Sequence, residues 1–391
     1  MTAATSTLSA ADLAVDHELA DIALSFDFLL DVTPVNGVAA REEFLAGTSD
    51  APAFAYRELG DELAVARARL EHVDITGVDD EEVAHLMQAK ARELDLQLEM
   101  LSARQSPSFR TLSVELYGPV DAVLVGQAEQ ILAAVPVPDP SSRPDRRLAA
   151  DAFAQRAEAE LDHYRVQYPD LSVFVEVRDD CTEVMVANGV LLVPASASVP
   201  ERRADALLQH EIGTHALTYA NGSAQPLRLL AAGLAGYEGT QEGLALLAEH
   251  LVGGLTPQRL RQVASRVVAV HRMLDGDSFR EVFSALRDAG IAPVPAFATT
   301  MRVFRAGGLT KDVVYLRGLS DLLAHLGSGG TLDTLWLGKL ALTSVPTVDS
   351  LVARGVLIGA RVVPRYLGEA RPAARLRDLA SGRVPVDLIE E

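Results

Sequence analysis

The sequence HEIGTH occupies residues 210–215, and the sequence QEGLA follows at residues 241–245. The first stretch holds two histidines with a glutamate directly after the first, and the second holds a glutamate 27 residues later (242 − 215). Two imidazoles and a carboxylate are typical of a hydrolytic zinc site, in which zinc takes three protein ligands and keeps a fourth position for water. A further carboxylate beside the metal acts as general base. The predicted zinc ligands are His210, His215 and Glu242, and the predicted general base is Glu211.

The five-residue spacing of the two histidines requires a distorted helix. At about 100° per residue, histidines four apart point about 40° apart, whereas histidines five apart point about 140° apart. One inserted residue, a single-turn π-bulge, would return both to one face, and Gly213 between them tolerates unusual dihedral angles. The sequence therefore predicts a local π-distortion in this helix. The alternative interpretation is a buried structural pair of histidines.

Both motifs lie in segments with helical periodicity. Apolar residues recur at helical spacing over residues 204–217 and again over 241–251, so that two helices would carry ligands towards one metal. Partners that orient the ligands are expected nearby, and the candidates are Thr214, Thr218, Gln241 and Glu238. Glu249 and His250, seven and eight residues after Glu242, are expected to lie on a charged helix face.

Several stretches of the chain resemble one known family. The densest matches are HEIGTHALTYANG (210–222), QPLRLL (225–230), GYEGTQEGLALLAEHLVGGL (236–255) and VFRAGGLTKDVVYLRG (303–318). They resemble the QEGLA-motif family, which is labelled flavohaemoglobin expression-modulating in bacteria and includes the microtubule-associated tyrosine carboxypeptidase in animals. Weaker matches at residues 31–44, 54–57 and 115–124 extend the resemblance over most of the chain.

The resemblance implies roles for the residues of both motifs. In that family the positions that match His210, His215 and Glu242 bind zinc, and the position that matches Glu211 is catalytic. The resemblance also implies a carboxypeptidase with a preference for a C-terminal aromatic residue or tyrosine, whereas the motif alone implies only zinc-dependent hydrolysis. The HExxxH spacing is also similar to that of dipeptidyl peptidase III, another zinc peptidase.

Two other functions stay open at this point. One is a zinc endopeptidase or aminopeptidase that acts on a specific peptide or protein. The other is a regulatory protein in which the zinc is structural, although the intact Glu211 and a set of three ligands rather than four argue against it.

A second group of candidates lies in residues 302–315, around the glycine-rich break at 306–308. A carboxypeptidase has to bind a free C-terminal carboxylate, which arginine does with a bidentate fork. It also needs a donor for the developing oxyanion opposite the metal, which Tyr315 or Lys311 could supply. The predicted substrate-binding residues are Arg302, Arg305 and Lys311, and Tyr315 is predicted to be catalytic. A solvated basic turn is the alternative.

The composition argues against several classes of protein. A net charge of −19 disfavours nucleic acid as a partner and would repel a strongly acidic peptide unless the cleft is locally basic. The single cysteine, Cys181, excludes an intramolecular disulfide and a thiolate-rich metal site. The chain shows neither a secretory signal pattern nor a long uncharged apolar stretch, so we expect a cytoplasmic protein that does not bind membranes. The scarcity of lysine beside abundant arginine is typical of a GC-rich bacterial genome.

The predicted fold is α+β and mostly helical, with a zincin-like metallopeptidase core. Residues 172–178 and 182–186 alternate as strands do, Asn188-Gly189 indicates a tight hairpin, and residues 190–194 form its return strand. The edge of this small sheet could flank the cleft and hydrogen-bond an extended peptide. The predicted helices elsewhere are residues 8–30, 58–71, 81–104, 121–134 and 150–168, with mostly helical structure after residue 255.

The best candidate for a linker is residues 135–147, which contain four prolines. We predict that it separates an N-terminal helical region, residues 1–140, from a zinc metallopeptidase domain, residues 148–391.

Overall fold

The computed structural model describes residues 8–49, 51–137, 145–181 and 183–389. Most of these residues are helical, and the strands form two small sheets, so the α+β prediction is confirmed. The helices are α1 (Ala10–Leu24), α2 (Phe28–Asp31), α3 (Gly37–Leu45), α4 (Glu62–Glu71), α5 (Glu81–Ser102), α6 (Pro107–Tyr117), α7 (Ala122–Ala134), α8 (Ala150–Gln167), α9 (Ala204–His210), α10 (Leu217–Ser223), α11 (Leu229–Ala232), α12 (Tyr237–Leu251), α13 (Pro257–Leu274), α14 (Phe279–Asp288), α15 (Pro293–Phe304), α16 (Val314–Gly327), α17 (Val345–Ala353) and α18 (Ala370–Leu379). The strands are β1 (Arg147–Ala149), β2 (Phe174–Arg178), β3 (Met185–Ala187), β4 (Val190–Pro194) and β5 (Ser198–Pro200).

Several helices begin at residues whose side chains cap them. The hydroxyl of Ser9 accepts from the backbone N–H of Asp12, whose carboxylate accepts from the backbone N–H of Ser9. Ser278 and Glu281 form the same capping box at the start of α14. These contacts satisfy N–H groups that have no partner inside the helix, which stabilises the chosen start.

The larger sheet has the order β2-β4-β3, with β2 parallel and β3 antiparallel to β4. Asn188 (φ 46°) and Gly189 (φ 81°) both adopt the left-handed region between β3 and β4, so the predicted hairpin is confirmed. The strand expected over residues 182–186 begins at Met185, and Thr182 lies outside the described residues. The pairing of β1 with β5 was not predicted. Because β3 is an edge strand that packs beside residues 211–216, the sheet edge adjoins the HExxxH helix.

The hydrophobic interior contains one large core and smaller ones. A core of Phe153, Leu161, Leu191, Val193 and Ile212 lies between α8, the sheet and the HExxxH helix. The largest core draws on both ends of the chain, with Leu19, Met87, Ile131, Leu244, Val263 and Leu319 among its members. Residues 138–144 of the predicted linker lie outside the described residues. The division into residues 1–140 and 148–391 stays a prediction.

Helices α12 and α16 approach until their backbones touch. A Cβ atom at Gly243 would collide with the carbonyl group of Gly318, and a Cβ atom at Gly318 would collide with that of Gly239. Only glycine permits such a close approach. The glycine of the QEGLA stretch therefore fixes the position of α12, and with it the position of Glu242.

None of the helices in the described ranges has both the length and the apolar character that crossing a bilayer requires.

Candidate active site

The helix that carries the two histidines changes its winding between them. Helix α9 ends at His210, a π-helical segment spans Glu211–Ala216, and α10 continues from there. A π-turn adds the one residue that a five-residue spacing needs, and the ring centroids of His210 and His215 lie 5.2 Å apart. The predicted π-distortion is confirmed.

Gly213 lies inside the π-helical segment, and its φ is not positive. That it tolerates unusual dihedral angles there stays a prediction. A Cβ atom at this position would lie 2.6 Å from Oε1 of Gln209 and 3.3 Å from Cε1 of Tyr366. A larger residue would therefore have to displace the ends of these two side chains.

The three predicted metal ligands lie together. One ligand atom each from His210, His215 and Glu242 lies within 4.8 Å of the other two. Oε2 of Glu242 is 3.7 Å from Nε2 of His210, and it is buried without a hydrogen-bond partner among the described residues. Burying an unpartnered carboxylate oxygen is costly, and two imidazole nitrogens with one carboxylate form a donor set that suits Zn²⁺. The cluster therefore fits a zinc ion.

His210 is held by a buried network of charges, which we call the charged side of the site. Its Nδ1 lies 2.9 Å from Oε1 of Glu249, so that Nε2 is left to face the cluster. Arg203 and Arg259 donate to the same carboxylate at 2.7 and 3.4 Å. Burial alone would lower the pKa of His210, but the neighbouring carboxylates raise it above its ordinary value. The charged side comprises His210, Glu249, Arg203 and Arg259.

His215 is held by uncharged groups, which we call the neutral side. Its Nδ1 lies 3.3 Å from Oε1 of Gln241, and Thr218 donates to the same amide oxygen at 2.8 Å. Burial lowers the pKa of His215 to about 4, which keeps the imidazole neutral and available as a ligand. The neutral side comprises His215, Gln241 and Thr218. Of the other expected partners, Thr214 donates to the backbone of Gln209 and Glu238 pairs with Lys311.

Glu211 lies at the edge of the cluster. Its Oε1 is 4.0 Å from Nε2 of His210. Burial raises the pKa of Glu211 to about 7, with the Glu242 and Glu249 carboxylates acting in the same direction. A carboxyl group with a pKa near neutrality can both accept and return a proton.

A cavity of about 550 Å³ opens beside the cluster. Its lining includes His210 and Glu211, together with Val184, which directly precedes the edge strand β3. Four arginines and three glutamates line it, a small excess of positive formal charge in a chain of net charge −19. The charged residues of the lining are Arg203, Arg259, Arg261, Arg266, Glu183, Glu211 and Glu249.

The residues predicted from segment 302–315 make contacts within the protein. Nε and Nη2 of Arg302 donate to both oxygens of Asp312, at 2.7 and 2.8 Å. Arg305 donates to Thr33, and Lys311 pairs with Glu238 at 2.7 Å. All three of these basic residues are largely enclosed rather than part of a solvated turn. Their role in binding substrate stays a prediction.

Tyr315, like Lys311, interacts electrostatically with Glu242 of the ligand cluster, and it also contacts Arg266 of the cavity wall. Burial and the Glu242 carboxylate raise the pKa of its hydroxyl, so it stays protonated at neutral pH. The guanidinium of Arg266 lies 4.4 Å from its ring centroid.

The family of the chain follows from sequence comparison. The family described as "Microtubule-associated tyrosine carboxypeptidase" matches residues 42–381, a range that includes every candidate site residue. The chain belongs to this family.

Individual relatives align over a shorter stretch. Microtubule-associated tyrosine carboxypeptidase 1 of Mus musculus is 33% identical over 174 residues, which cover 42% of this chain and 36% of that protein. The Homo sapiens protein of the same name is 34% identical over 174 residues with the same coverage. The chain thus spans about a third of the length of these relatives. A solved structure, the putative lipoprotein from Colwellia psychrerythraea, matches with a TM-score of 0.40 and 16% identity, over 84% of this chain and 65% of that one.

Sequence reasoning missed the charged side of this family member's site. The expectation that Glu249 and His250 lie on a charged helix face is wrong, because they are 0% and 8% exposed. A signal was available: seven residues are close to two turns of helix, so Glu249 lies on the same face as Glu242. The same spacing relates Arg203 to His210.

Proposed function

We propose that the protein is a zinc-dependent carboxypeptidase that removes the last residue of a peptide or protein. The observation that carries this proposal is the cluster of His210, His215 and Glu242, within 4.8 Å and beside Glu211. Family membership supports peptidase chemistry. The name of the two relatives supports the carboxyl-terminal direction and tyrosine as the residue removed.

The ligand atoms are prepared for a metal by the residues behind them. Because Glu249 and Gln241 engage the Nδ1 atoms of the two histidines, both Nε2 atoms are free. Such partners fix the tautomer and orientation of metal-ligating imidazoles. Zinc held by three protein ligands supplies Lewis-acid polarisation and activates water for attack on a carbonyl group.

Glu211 handles the proton in the proposed reaction. Its carboxylate takes a proton as the water oxygen forms a bond to the scissile carbonyl carbon. The same carboxyl group then returns the proton to the amide nitrogen as the C–N bond breaks, so that a carboxylic acid and a free amine are formed, and the acid gives up its remaining proton to solvent as it ionises. A hydroxyl that keeps its proton, as that of Tyr315 does, can donate to the oxyanion that develops on the carbonyl oxygen.

The substrate would enter beside the sheet. Among the described residues, strand β3 is the outer strand of its sheet and lies next to the π-helical segment, and an edge strand can pair with an extended peptide. The excess of arginine in the cavity lining reduces the repulsion that the net charge of −19 would impose on an acidic peptide.

Metal analysis with three variants tests the zinc site. Purified protein should carry about one zinc per chain, and His210→Ala and Glu242→Ala should each lose it. Glu211→Gln should keep the zinc and the fold but lose about 10²–10⁴-fold in turnover. Full zinc in either ligand variant would refute the ligand set, and an active Glu211→Gln enzyme would move the base elsewhere.

Blocked peptides test the direction of attack. Amidation of the C-terminus of a good substrate should abolish cleavage, whereas acetylation of its N-terminus should have little effect. Mass spectrometry of the products identifies the cleaved bond. Equal cleavage of free and amidated peptides would favour the endopeptidase alternative, and sensitivity to acetylation would favour the aminopeptidase. Zinc without turnover on a broad peptide library would favour a structural metal.

A further inference from the structure

One buried arginine on the cavity wall reaches a carboxylate of the described residues at ion-pair distance but not at hydrogen-bond distance. Arg266, on α13, is 8% exposed, and its Nε and Nη1 have no hydrogen-bond partner within the described ranges. Its Nε is 3.9 Å from Oδ2 of Asp312, which is beyond hydrogen-bond distance. Both oxygens of Asp312 already accept from Arg302. Burial of a guanidinium whose N–H donors have no acceptor is unfavourable, and an anion that accepts from those donors offsets this cost.

The charges around Asp312 do not balance. Burial alone would raise the pKa of Asp312, but Arg302, Arg266 and Arg305 hold it well below its usual range. One carboxylate thus faces three guanidinium groups. Glu183 lies 3.7 Å from Arg302, but its side chain is 73% exposed and is screened by solvent. The cluster of Asp312 with its three arginines therefore has a net positive charge that at least one further anion can balance.

Among these three arginines, only Arg266 belongs to the described lining of the cavity that contains Glu211. Cζ of Arg266 lies over the ring of Tyr315, 4.4 Å from its centroid. A cation–π contact of this kind holds the guanidinium in place without using its N–H donors, which leaves them for a ligand. Arg302 and Asp312 hold each other, so neither one takes up that edge.

We propose that Arg266 binds the terminal carboxylate of the substrate and so makes the enzyme an exopeptidase. This inference rests on the proposed carboxypeptidase function. The terminal carboxylate of a peptide belongs to the residue directly after the scissile bond, whose Cα is about 3.8 Å from the preceding Cα. Its partner therefore has to share a cavity with the general base, as Arg266 does. Arg302 acts indirectly, because by holding Asp312 it keeps the fork of Arg266 free.

The same cavity has surface for the side chain of the departing residue. Leu207, Ile291 and Pro295 line it together with Arg266. An apolar wall next to a carboxylate-binding guanidinium suits a terminal residue with an apolar or aromatic side chain, since the ring would be removed from water as the carboxylate is paired.

The test compares a free-acid peptide that ends in tyrosine with its C-terminal amide. Wild type, Arg266→Gln and Arg266→Lys are assayed for kcat and KM, and each is checked for zinc content and thermal unfolding. We expect kcat/KM for the free acid to fall about 30-fold or more in Arg266→Gln, mainly through KM. The same variant should also lose the preference for the free-acid peptide over its C-terminal amide. Arg266→Lys keeps the charge without the fork and should recover part of the loss.

A matched control is Arg261→Gln. Arg261 lines the same cavity, but its terminal nitrogens donate to the backbone carbonyl groups of Leu132, Val135 and Ala289. Its replacement should lower stability and leave the preference for acid over amide unchanged. Direct binding of both peptides to Glu211→Gln, with and without Arg266→Gln, repeats the comparison without turnover.

The outcomes separate this inference from the proposed function. If wild type prefers the free acid and Arg266→Gln retains the full preference, the assignment of Arg266 is overturned and the carboxypeptidase stands. If the wild-type protein cleaves the free-acid peptide and its amide equally well, the proposed carboxypeptidase function is wrong, and the role assigned to Arg266 is wrong as well. Should Arg266→Gln not fold, Arg266→Lys decides the question, because an unchanged KM and an unchanged acid preference in that variant overturn the proposal.

Discussion

The charged side and the neutral side of the candidate active site hold the two proposed histidine ligands by different means. On the charged side a carboxylate lies 2.9 Å from the Nδ1 of His210, and on the neutral side an amide oxygen lies 3.3 Å from the Nδ1 of His215. Accordingly the pKa of His210 is raised, and burial lowers that of His215 to about 4. A carboxylate behind an imidazole increases its basicity as a ligand, so the two sides should contribute unequally to metal binding.

The largest effect is expected from Glu249→Ala, which removes the charged side. His210 loses the partner that orients it, and Arg203 and Arg259 lose the carboxylate that both of them contact. Zinc affinity should fall about 10–100-fold. The free energy of unfolding should fall by about 3 kcal/mol, because two largely enclosed guanidinium groups lose their carboxylate and keep only uncharged acceptors. Chelator competition and chemical denaturation measure the two quantities.

Glu249→Gln is the control for that experiment. It keeps an acceptor for the N–H of His210 but removes the charge, so its zinc affinity should lie between those of wild type and Glu249→Ala. If Glu249→Ala binds zinc as tightly as wild type does, the two sides do not differ in the way proposed.

A smaller effect is expected from pH in the metal-free protein. The folded state keeps His215 neutral down to about pH 4, whereas the unfolded chain takes up a proton near 6.5. The stability that His215 contributes is therefore complete above pH 6.5 and is lost as the pH falls from there towards about 4. For His210, whose pKa is raised, the contribution is complete below pH 6.5 and is lost as the pH rises through the folded value.

Imidazole NMR of the metal-stripped protein measures both titrations. The resonances of His210 should titrate above, and those of His215 below, the ordinary value. Gln241→Glu places a carboxylate behind His215 and should move its pKa upwards, so that the two sides become alike. Two histidines that titrate together near 6.5 in the wild-type protein would contradict the comparison.

The π-helical segment between the two histidines shows how far sequence alone can go. The spacing of His210 and His215 dictates a π-turn if both are to bind one metal, and helical geometry says as much without a structure. The Asn188-Gly189 hairpin follows in the same way from local backbone preferences. These predictions succeeded because each depends on neighbours within a few residues.

Contacts between distant segments were not predictable in that way. Asp312 accepts from two donors of Arg302, whereas two donors of Arg266 have no acceptor among the described residues. Arg266 lies 46 residues before Asp312 (312 − 266), so the sequence around either residue does not indicate this difference. Glu249 could be assigned to the face of Glu242 by its spacing, yet its contact with Arg259 depends on how α13 packs. The tertiary structure thus decides which arginine keeps N–H donors without an acceptor.

Disruption of the neutral side should cost less than disruption of the charged side. Gln241→Leu removes the acceptor for the buried N–H of His215. The hydroxyl of Thr218 also loses the amide oxygen but still reaches the backbone carbonyl of Thr214 at 2.8 Å. We expect zinc affinity to fall by no more than about tenfold and the free energy of unfolding by about 1–3 kcal/mol. The same chelator competition, run beside Glu249→Ala, measures the difference. A larger loss of zinc affinity in Gln241→Leu than in Glu249→Ala would reverse the comparison.

The smallest effect is expected from Thr218→Val, which alters the neutral side without touching the ligand's own hydrogen bond. The substitution removes a hydroxyl that is 0% exposed and donates to the amide oxygen of Gln241 at 2.8 Å. That oxygen keeps the N–H of His215 as its donor, so no buried acceptor is left without a partner. The free energy of unfolding should fall by about 0.5–1.5 kcal/mol, the net value of one hydrogen bond, while zinc affinity stays within twofold of wild type. A loss of zinc comparable to that in Gln241→Leu would mean that Thr218 sets the orientation of the amide, and that the neutral side acts as one unit.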